Sequence, residues 1–155
     1  MRTLTAMVIF ASLAVAQDSQ NQQGVQTRGD QAMGFSHEMT THHFLLTKDG
    51  GVIEAKANNP DDEASRNAIQ HHMQHIAMLF SEGDFNAPMF IHDQVPPGVP
   101  TMKRLKDQIT YRAEPTKQGA EVRITTANPE ALEAVHEFLT FQIKDHQTND
   151  SLEVH

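Results

Sequence analysis

Histidines are the residues of this 155-residue chain best able to do chemistry, since it has ten of them, one tyrosine and no cysteine. His71, His72 and His75 lie close together in Asp61–Phe85, the longest segment with helical periodicity. At about 100° per residue, His72 falls inside the apolar face of that helix and His75 at its edge, while His71 points away. His72 and His75 are therefore i,i+3 neighbours where the helix meets the rest of the fold.

Histidines of two other segments are predicted to reach the same place. In the predicted strand Thr40–Lys48, His42 shares a face with Phe44 and Leu46, and His43 takes the opposite face. A one-residue register slip would exchange the two. His92 lies in the proline-rich connection after the helix, and neutral imidazole is a common ligand of zinc, copper and nickel. The sequence therefore predicts a mononuclear metal site drawn from a set of histidines: His42 or His43, His72, His75 and His92.

Methionines decide which metal is expected. Met39, Met73, Met89 and Met102 flank the histidine segments, and thioether sulfur favours copper(I). Copper is therefore expected before zinc as the bound ion, for metal tolerance or delivery. Asp93 follows His92 directly and is the expected carboxylate partner of that imidazole.

Two other functions stay open. The histidine cluster, with or without a metal, is also compatible with a small enzyme in which an imidazole acts as general base. It is equally compatible with an interaction module in which the histidines stabilise the fold or respond to pH. The chain lacks the HExxH glutamate of zinc proteases, a G-x-S-x-G elbow and a phosphate-binding glycine loop.

The first residues are typical of a cleavable signal peptide. Arg2 precedes the mostly apolar run Leu4–Leu13, and Ala14–Ala16 forms a small-x-small cleavage site. The prediction is a signal peptide over residues 1–16 with cleavage after Ala16, giving a periplasmic or secreted protein that is not held in the membrane afterwards. Residues 17–34 are polar, rich in glutamine and without periodicity, so they are predicted to form a disordered leader.

The charge balance limits the partners. The chain has a net charge of −8, and removing Arg2 with the signal peptide leaves 11 basic against 20 acidic residues, which is −9. Nucleic acids and anionic lipid surfaces both require a basic face, so neither is expected to bind. A metal ion is the partner that the sequence predicts.

Two similar units predict the fold of residues 35–146. Each reads as strand, glycine turn, strand, Asn-Pro and long helix, with the second helix running from Asn128-Pro129 to about Asp145. We expect a single α+β domain: a pseudo-duplicated ββα–ββα arrangement, whose four-stranded, mainly antiparallel sheet carries two long helices on one face. Residues 147–155 are expected to be a frayed tail.

Five segments also carry a family resemblance: TTHHF (40–44), IQHHMQHIAMLF (69–80), GDFNAPMFIH (83–92), PPGVPTMKRLKDQITY (96–111) and VHEFLTFQI (135–143). They resemble a family of small exported bacterial proteins without an assigned activity, over about residues 33–146. The resemblance implies one domain outside the cytoplasm. Some members are labelled aspartate carbamoyltransferase, but this chain lacks the Ser-Thr-Arg-Thr phosphate motif of that enzyme and is too short for its two domains. The resemblance therefore implies no mechanism.

Overall fold

Regular structure occupies most of the chain in the computed structural model, which describes residues 7–155 and the side chains from residue 19 onward. The described residues form five α-helices and four strands. In order they are α1 (Met7–Met33), β1 (Thr40–Thr47), β2 (Gly50–Ala57), α2 (Glu63–Ser81), α3 (Asn86–His92), α4 (Val99–Arg104), β3 (Ile109–Pro115), β4 (Gly119–Thr126) and α5 (Pro129–Asp145), with a 3-10 turn at Lys106–Gln108 before β3.

The four strands form one antiparallel sheet in the order β1-β2-β4-β3. Alternate apolar residues of the strands point toward the core, as the buried Phe44 and Leu46 of β1 and Val122 and Ile124 of β4 show. This period of two gives the sheet one core face and one outer face. The helices α2 and α5 pack on the core face of the sheet. This arrangement confirms the predicted α+β fold with a four-stranded sheet. The order of strands and helices is partly consistent with the predicted ββα–ββα repeat, to which α1, α3 and α4 are additions.

Side-chain caps and apolar faces position the two long helices. Asp62 accepts a hydrogen bond from the backbone N–H of Ser65 at the start of α2, and Asn128 accepts from the first backbone N–H groups of α5. Such caps satisfy amide groups that the helix itself leaves without partners. The buried faces then meet the sheet: Ile69, Met73, Ile76, Ala77 and Phe80 from α2, and Ala131, Ala134, Val135, Phe138, Leu139, Gln142 and Ile143 from α5.

Residues 17–34 are helical where the sequence predicts a disordered leader, because most of them belong to α1. This helix is held by contacts with distant parts of the chain. Val25 is buried, Arg28 Nε donates to the carbonyl of Ile91 at 2.8 Å, and Gln22 Nε2 donates to the carbonyl of Asp145 at 2.6 Å. Tertiary contacts, which a helical-periodicity argument does not detect, therefore order this segment.

The predicted signal peptide overlaps the start of α1. Its first six residues lie outside the described residues, and residues 7–16 form the first part of the helix. Cleavage after Ala16 stays a prediction, and it would retain Gln22, Val25 and Arg28. No helix of the described residues combines the length and the apolar character needed to cross a bilayer.

The C-terminal residues 147–155 are docked against β1 in the structure, where the sequence predicts a frayed tail. Lys48 N donates to the carbonyl of His155 at 3.1 Å, and His155 N donates to the carbonyl of Leu46 at 3.0 Å. The carboxylate of Asp150 accepts from Phe44 N at 2.9 Å and from Thr148 Oγ1 at 2.7 Å. The free hydrogen-bonding edge of β1 explains this docking, because an edge strand offers unpaired backbone groups to any nearby segment.

Candidate functional site: a histidine-lined cavity

A cavity of about 70 Å³ lies between β1, α2, α3 and the C-terminal end of α5. Four histidines, two methionines and one glutamine line it together with aliphatic and aromatic side chains. The set is His42, His72, His92, His146, Met33, Met73 and Gln142. A volume of this size holds a few water molecules or a small ligand.

Three of the five histidines proposed from the sequence line this cavity, and each comes from a different element. His42 lies on the core face of β1, beyond Phe44 and Leu46, as the alternation of the strand predicts. His72 comes from α2. His92 is the last residue of α3, a short helix within the connection that the sequence analysis treated as a proline-rich loop.

His43, predicted as the alternative to His42, and His75, also predicted as a ligand, do not line the cavity. His43 lies on the outer face of the sheet, where its Nδ1 is 2.9 Å from Asp150 Oδ1. His75 is exposed on the solvent side of α2. A spacing of three residues on a helix puts two side chains on neighbouring positions, but it does not require both to point toward the same partner.

His146, directly after the last residue of α5, contacts two of the other cavity histidines, although the predicted ligand set does not include it. Its ring centroid lies 4.9 Å from that of His92 and 6.2 Å from that of His42. The signal was present, because Leu139, Gln142 and Ile143 precede it at spacings of seven, four and three residues on the buried face of α5.

Aromatic side chains fix the orientation of these rings. Phe35 stacks on His42 with ring centroids 6.0 Å apart and meets His72 edge-on at 5.5 Å. Phe44 covers His146 at 5.7 Å. The rings of His42 and His146 are nearly parallel, so their nitrogens do not converge on one point in this conformation.

His92 is held by polar partners on both ring nitrogens. Its Nδ1 lies 2.5 Å from Asp145 Oδ2 and its Nε2 lies 2.9 Å from Gln142 Oε1. Asp145 therefore takes the role expected of Asp93, which is exposed and has a left-handed backbone conformation after α3. A carboxylate on one imidazole nitrogen fixes the orientation of the ring.

The other three cavity histidines are held in the neutral form. Burial lowers the pKa of His42 to about 4, with a further contribution from His43. Burial also lowers the pKa of His72 to about 4 and that of His146 to about 3, and neighbouring histidines add to both effects. A buried imidazolium loses its hydration without gaining a counter-ion, so the uncharged ring is favoured. Neutral imidazole is the form that binds metals and accepts protons.

One polar group in the cavity wall has no partner. Gln142 is 4% exposed, and its Nε2 has no hydrogen-bond acceptor among the described residues. Leaving a buried amide donor unpaired costs about 1–3 kcal/mol. A ligand or water molecule that accepts from this group would remove that cost.

Two grooves beside α1 lead to the histidines. One, of about 320 Å³, lies between α1, β1 and the C-terminal tail and includes His42 and His146. The other, of about 400 Å³, lies between α1 and the end of α3 and includes His92. Both grooves therefore share lining histidines with the cavity.

Within residues 7–155, no three His, Asp or Glu side chains stand together in a geometry that holds a metal ion. Comparison with known protein families, curated proteins and solved structures finds no match. The class that the fold and the site define is an α+β domain with a cavity of neutral histidines, and its function is argued from that cavity alone.

Proposed function

We propose that this protein binds a transition-metal ion, copper(I) before zinc, in the histidine-lined cavity. The observation that carries the proposal is the donor set: His42, His72 and His146 are neutral imidazoles, and Met33 and Met73 add thioethers in the same wall. Imidazole and thioether are both ligands of copper, and thioether selects copper(I).

The charge of the cavity also favours a monovalent ion. Among the described residues, the cavity wall contains no carboxylate, since Asp145 turns toward His92 from outside it. A buried divalent ion in such a wall would keep its full charge without compensation, and the cost of burying charge rises steeply with that charge. Copper(I), with a single positive charge, therefore needs less neutralising charge from the cavity wall than a zinc ion does.

Binding requires a change in ring orientation. The stacked rings of His42 and His146 must turn about their side-chain torsions so that one nitrogen of each faces the ion. The two methionines are unbranched and adapt readily to such a change. Met33 lies at the end of α1, so metal binding and the docking of α1 are expected to be linked.

Export is the cellular context of the proposal. The predicted signal peptide, residues 1–16, would direct the protein to the periplasm or the exterior, where a cysteine-free site is not lost by disulfide formation. Metal tolerance or delivery in that compartment is the role we propose.

A competition titration tests this function. Protein purified from cells is titrated with copper(I) under reducing conditions against a chromophoric chelator, and separately with zinc. We expect one tightly bound copper(I) per chain and weaker zinc binding. His72→Ala should weaken copper(I) binding by more than about 100-fold. Substituting residues that only support the ligands already lowers metal affinity by about 10–100-fold, and removing a ligand should cost more.

The neighbouring His71 provides the matched control. It is exposed, carries the same side chain one position away, and does not line the cavity. His71→Ala should bind copper(I) as the unmodified protein does. Equal affinities for the His71 and His72 variants, or no copper(I) binding at micromolar concentration, would contradict the proposal.

A second candidate function is the binding of a small organic molecule, and the unpaired Nε2 of Gln142 favours it. The remainder of the cavity wall is largely apolar, which suits a small apolar body carrying one hydrogen-bond acceptor. Native mass spectrometry of protein purified from its own compartment distinguishes the two: a copper or zinc mass supports the first candidate, and an organic adduct that Gln142→Leu removes supports the second.

A further inference from the structure

The outer face of the sheet carries its charges in rows. Because the strands are paired in register, Glu54 of β2, Glu121 of β4 and Glu114 of β3 lie side by side across the sheet. The next outward row along the strands contains Val52, Arg123 and Arg112 in the same order. We call these the glutamate row and the arginine row.

This arrangement is unfavourable for an isolated face. Like charges directly opposite each other on neighbouring strands repel, and both rows place like charges opposite each other. The contacts that relieve this are Arg123–Glu121 and Arg112–Glu114, each at 3.3 Å along a single strand. Such exposed pairs contribute little. Among the described residues, Glu54 forms no salt bridge.

The same arrangement is complementary to itself. A two-fold axis parallel to the sheet and perpendicular to the strands, placed between the two rows, brings each row of one copy over the other row of a second copy. Glu121 then faces Arg123 of the second copy, and Glu114 faces Arg112. Each contact occurs twice, as in any isologous interface.

We infer that the outer face of the sheet is a surface for self-association, with a second copy of this chain as its partner. The two sheets would pack face to face with their strands nearly aligned, as in a β-sandwich. Leu45, which is 39% exposed on the outer face of β1, would provide an apolar contact at one side of the interface.

The size of the face sets the strength of the dimer. Four strands about 4.8 Å apart and about seven residues long give roughly 450 Å² per copy, or roughly 900 Å² in all. Specific interfaces usually bury about 1,200–2,000 Å². The dimer is therefore weak, and it is weakened further by salt, because its defining contacts are exposed ion pairs.

Sedimentation equilibrium at low and high salt tests the inference. The protein concentration is varied from about 10 µM to about 1 mM, because the interface is smaller than that of a standard complex and is expected to be weak. We expect the mass to approach that of two chains at the highest concentration, and less so at high salt. Arg123→Glu puts like charges face to face at two symmetric positions and should weaken the dimer by at least about tenfold, equivalent to about 1.4 kcal/mol.

Two further variants separate the interface from general charge effects. Arg104→Glu makes the same change of charge at an exposed pair with Glu130, away from the sheet, and should leave dimerisation unchanged. Glu121→Arg combined with Arg123→Glu restores both the net charge and the complementarity, and should restore the dimer to within about threefold. A monomeric protein at every concentration would overturn the inference, as would equal dimerisation of the Arg123 and Arg104 variants.

Discussion

Acidification should destabilise the metal-free protein well before its carboxylates are protonated. Above pH about 6.5, His42 is neutral in both the folded and the unfolded chain, so it does not favour either state. As the pH falls, the unfolded chain takes up a proton first, because burial lowers the folded pKa of His42 to about 4. The free energy of unfolding therefore falls between pH about 6.5 and about 4.

The expected magnitude follows from the same two values. The full difference of about 2.5 pKa units corresponds to about 3.4 kcal/mol at 1.36 kcal/mol per unit, and at pH 5 about 2 kcal/mol of it is lost. These are upper values, since part of the His42 surface remains accessible to water. His72 and His146 act in the same direction. Together they amount to a large fraction of the 5–15 kcal/mol typical of a domain.

Urea denaturation followed by far-UV circular dichroism at pH about 7.5 and about 5 measures this loss, since native stability can be extrapolated from the transition. His42→Gln removes the titrating group, so the loss of stability between the two pH values should shrink by up to about 2 kcal/mol. A change in the free energy of unfolding that the substitution causes equally at both pH values cancels when the two values are subtracted. His71→Gln, at an exposed position, is the control and should leave the loss unchanged.

Two neighbouring side chains also affect the pKa of His42. His43 lowers the pKa of His42 in addition to burial, and Asp30 opposes this effect. A His42 variant that loses as much stability on acidification as the His71 control would show that the ring of His42 is solvated. The argument for a set of neutral ligands would then fail.

The remaining predictions concern the elements that hold the cavity together. Asp150→Ala removes a carboxylate that binds both β1 and Thr148, so it should lower the free energy of unfolding by about 2–3 kcal/mol and speed hydrogen exchange in β1. Gly98→Ala should cost more than about 2 kcal/mol in chemical denaturation, because Gly98 has φ +80° and an added Cβ would lie 2.0 Å from a carbonyl of α5. Gly29→Ala, about one turn before the end of α1 with only the flexible Met33 side chain nearby, should instead stabilise by about 0.5–1 kcal/mol. Val25→Asp should release α1 and increase the modification of cavity histidines by diethyl pyrocarbonate, and an unchanged rate would show that α1 does not cover them.

Local signals made much of this fold predictable. Alternating apolar residues located the strands, and Asn128-Pro129 marked the start of α5 correctly. The same alternation placed His42 on the core face and His43 on the outer face. These features depend on residues adjacent in sequence, where propensity and periodicity act directly.

The parts that sequence reasoning missed depend on distant contacts. α1 is ordered by α3 and by the end of α5, and the tail by the edge of β1. Neither partner is visible in the local sequence. His146 was absent from the predicted site although the spacing of the buried residues of α5 points to it. Strand and helix periodicity thus brought His42 and His72 to one cavity, while their role as metal ligands stays a prediction.

The position of His146 has a consequence for biogenesis. It comes 104 residues after His42, and its ring is held beside β1 by the docked segment that follows it. The pocket therefore cannot assemble during synthesis until nearly all of the domain has emerged from the ribosome. On the metal-binding proposal, a copy exported in the unfolded state would take up its ion only in the compartment where it folds.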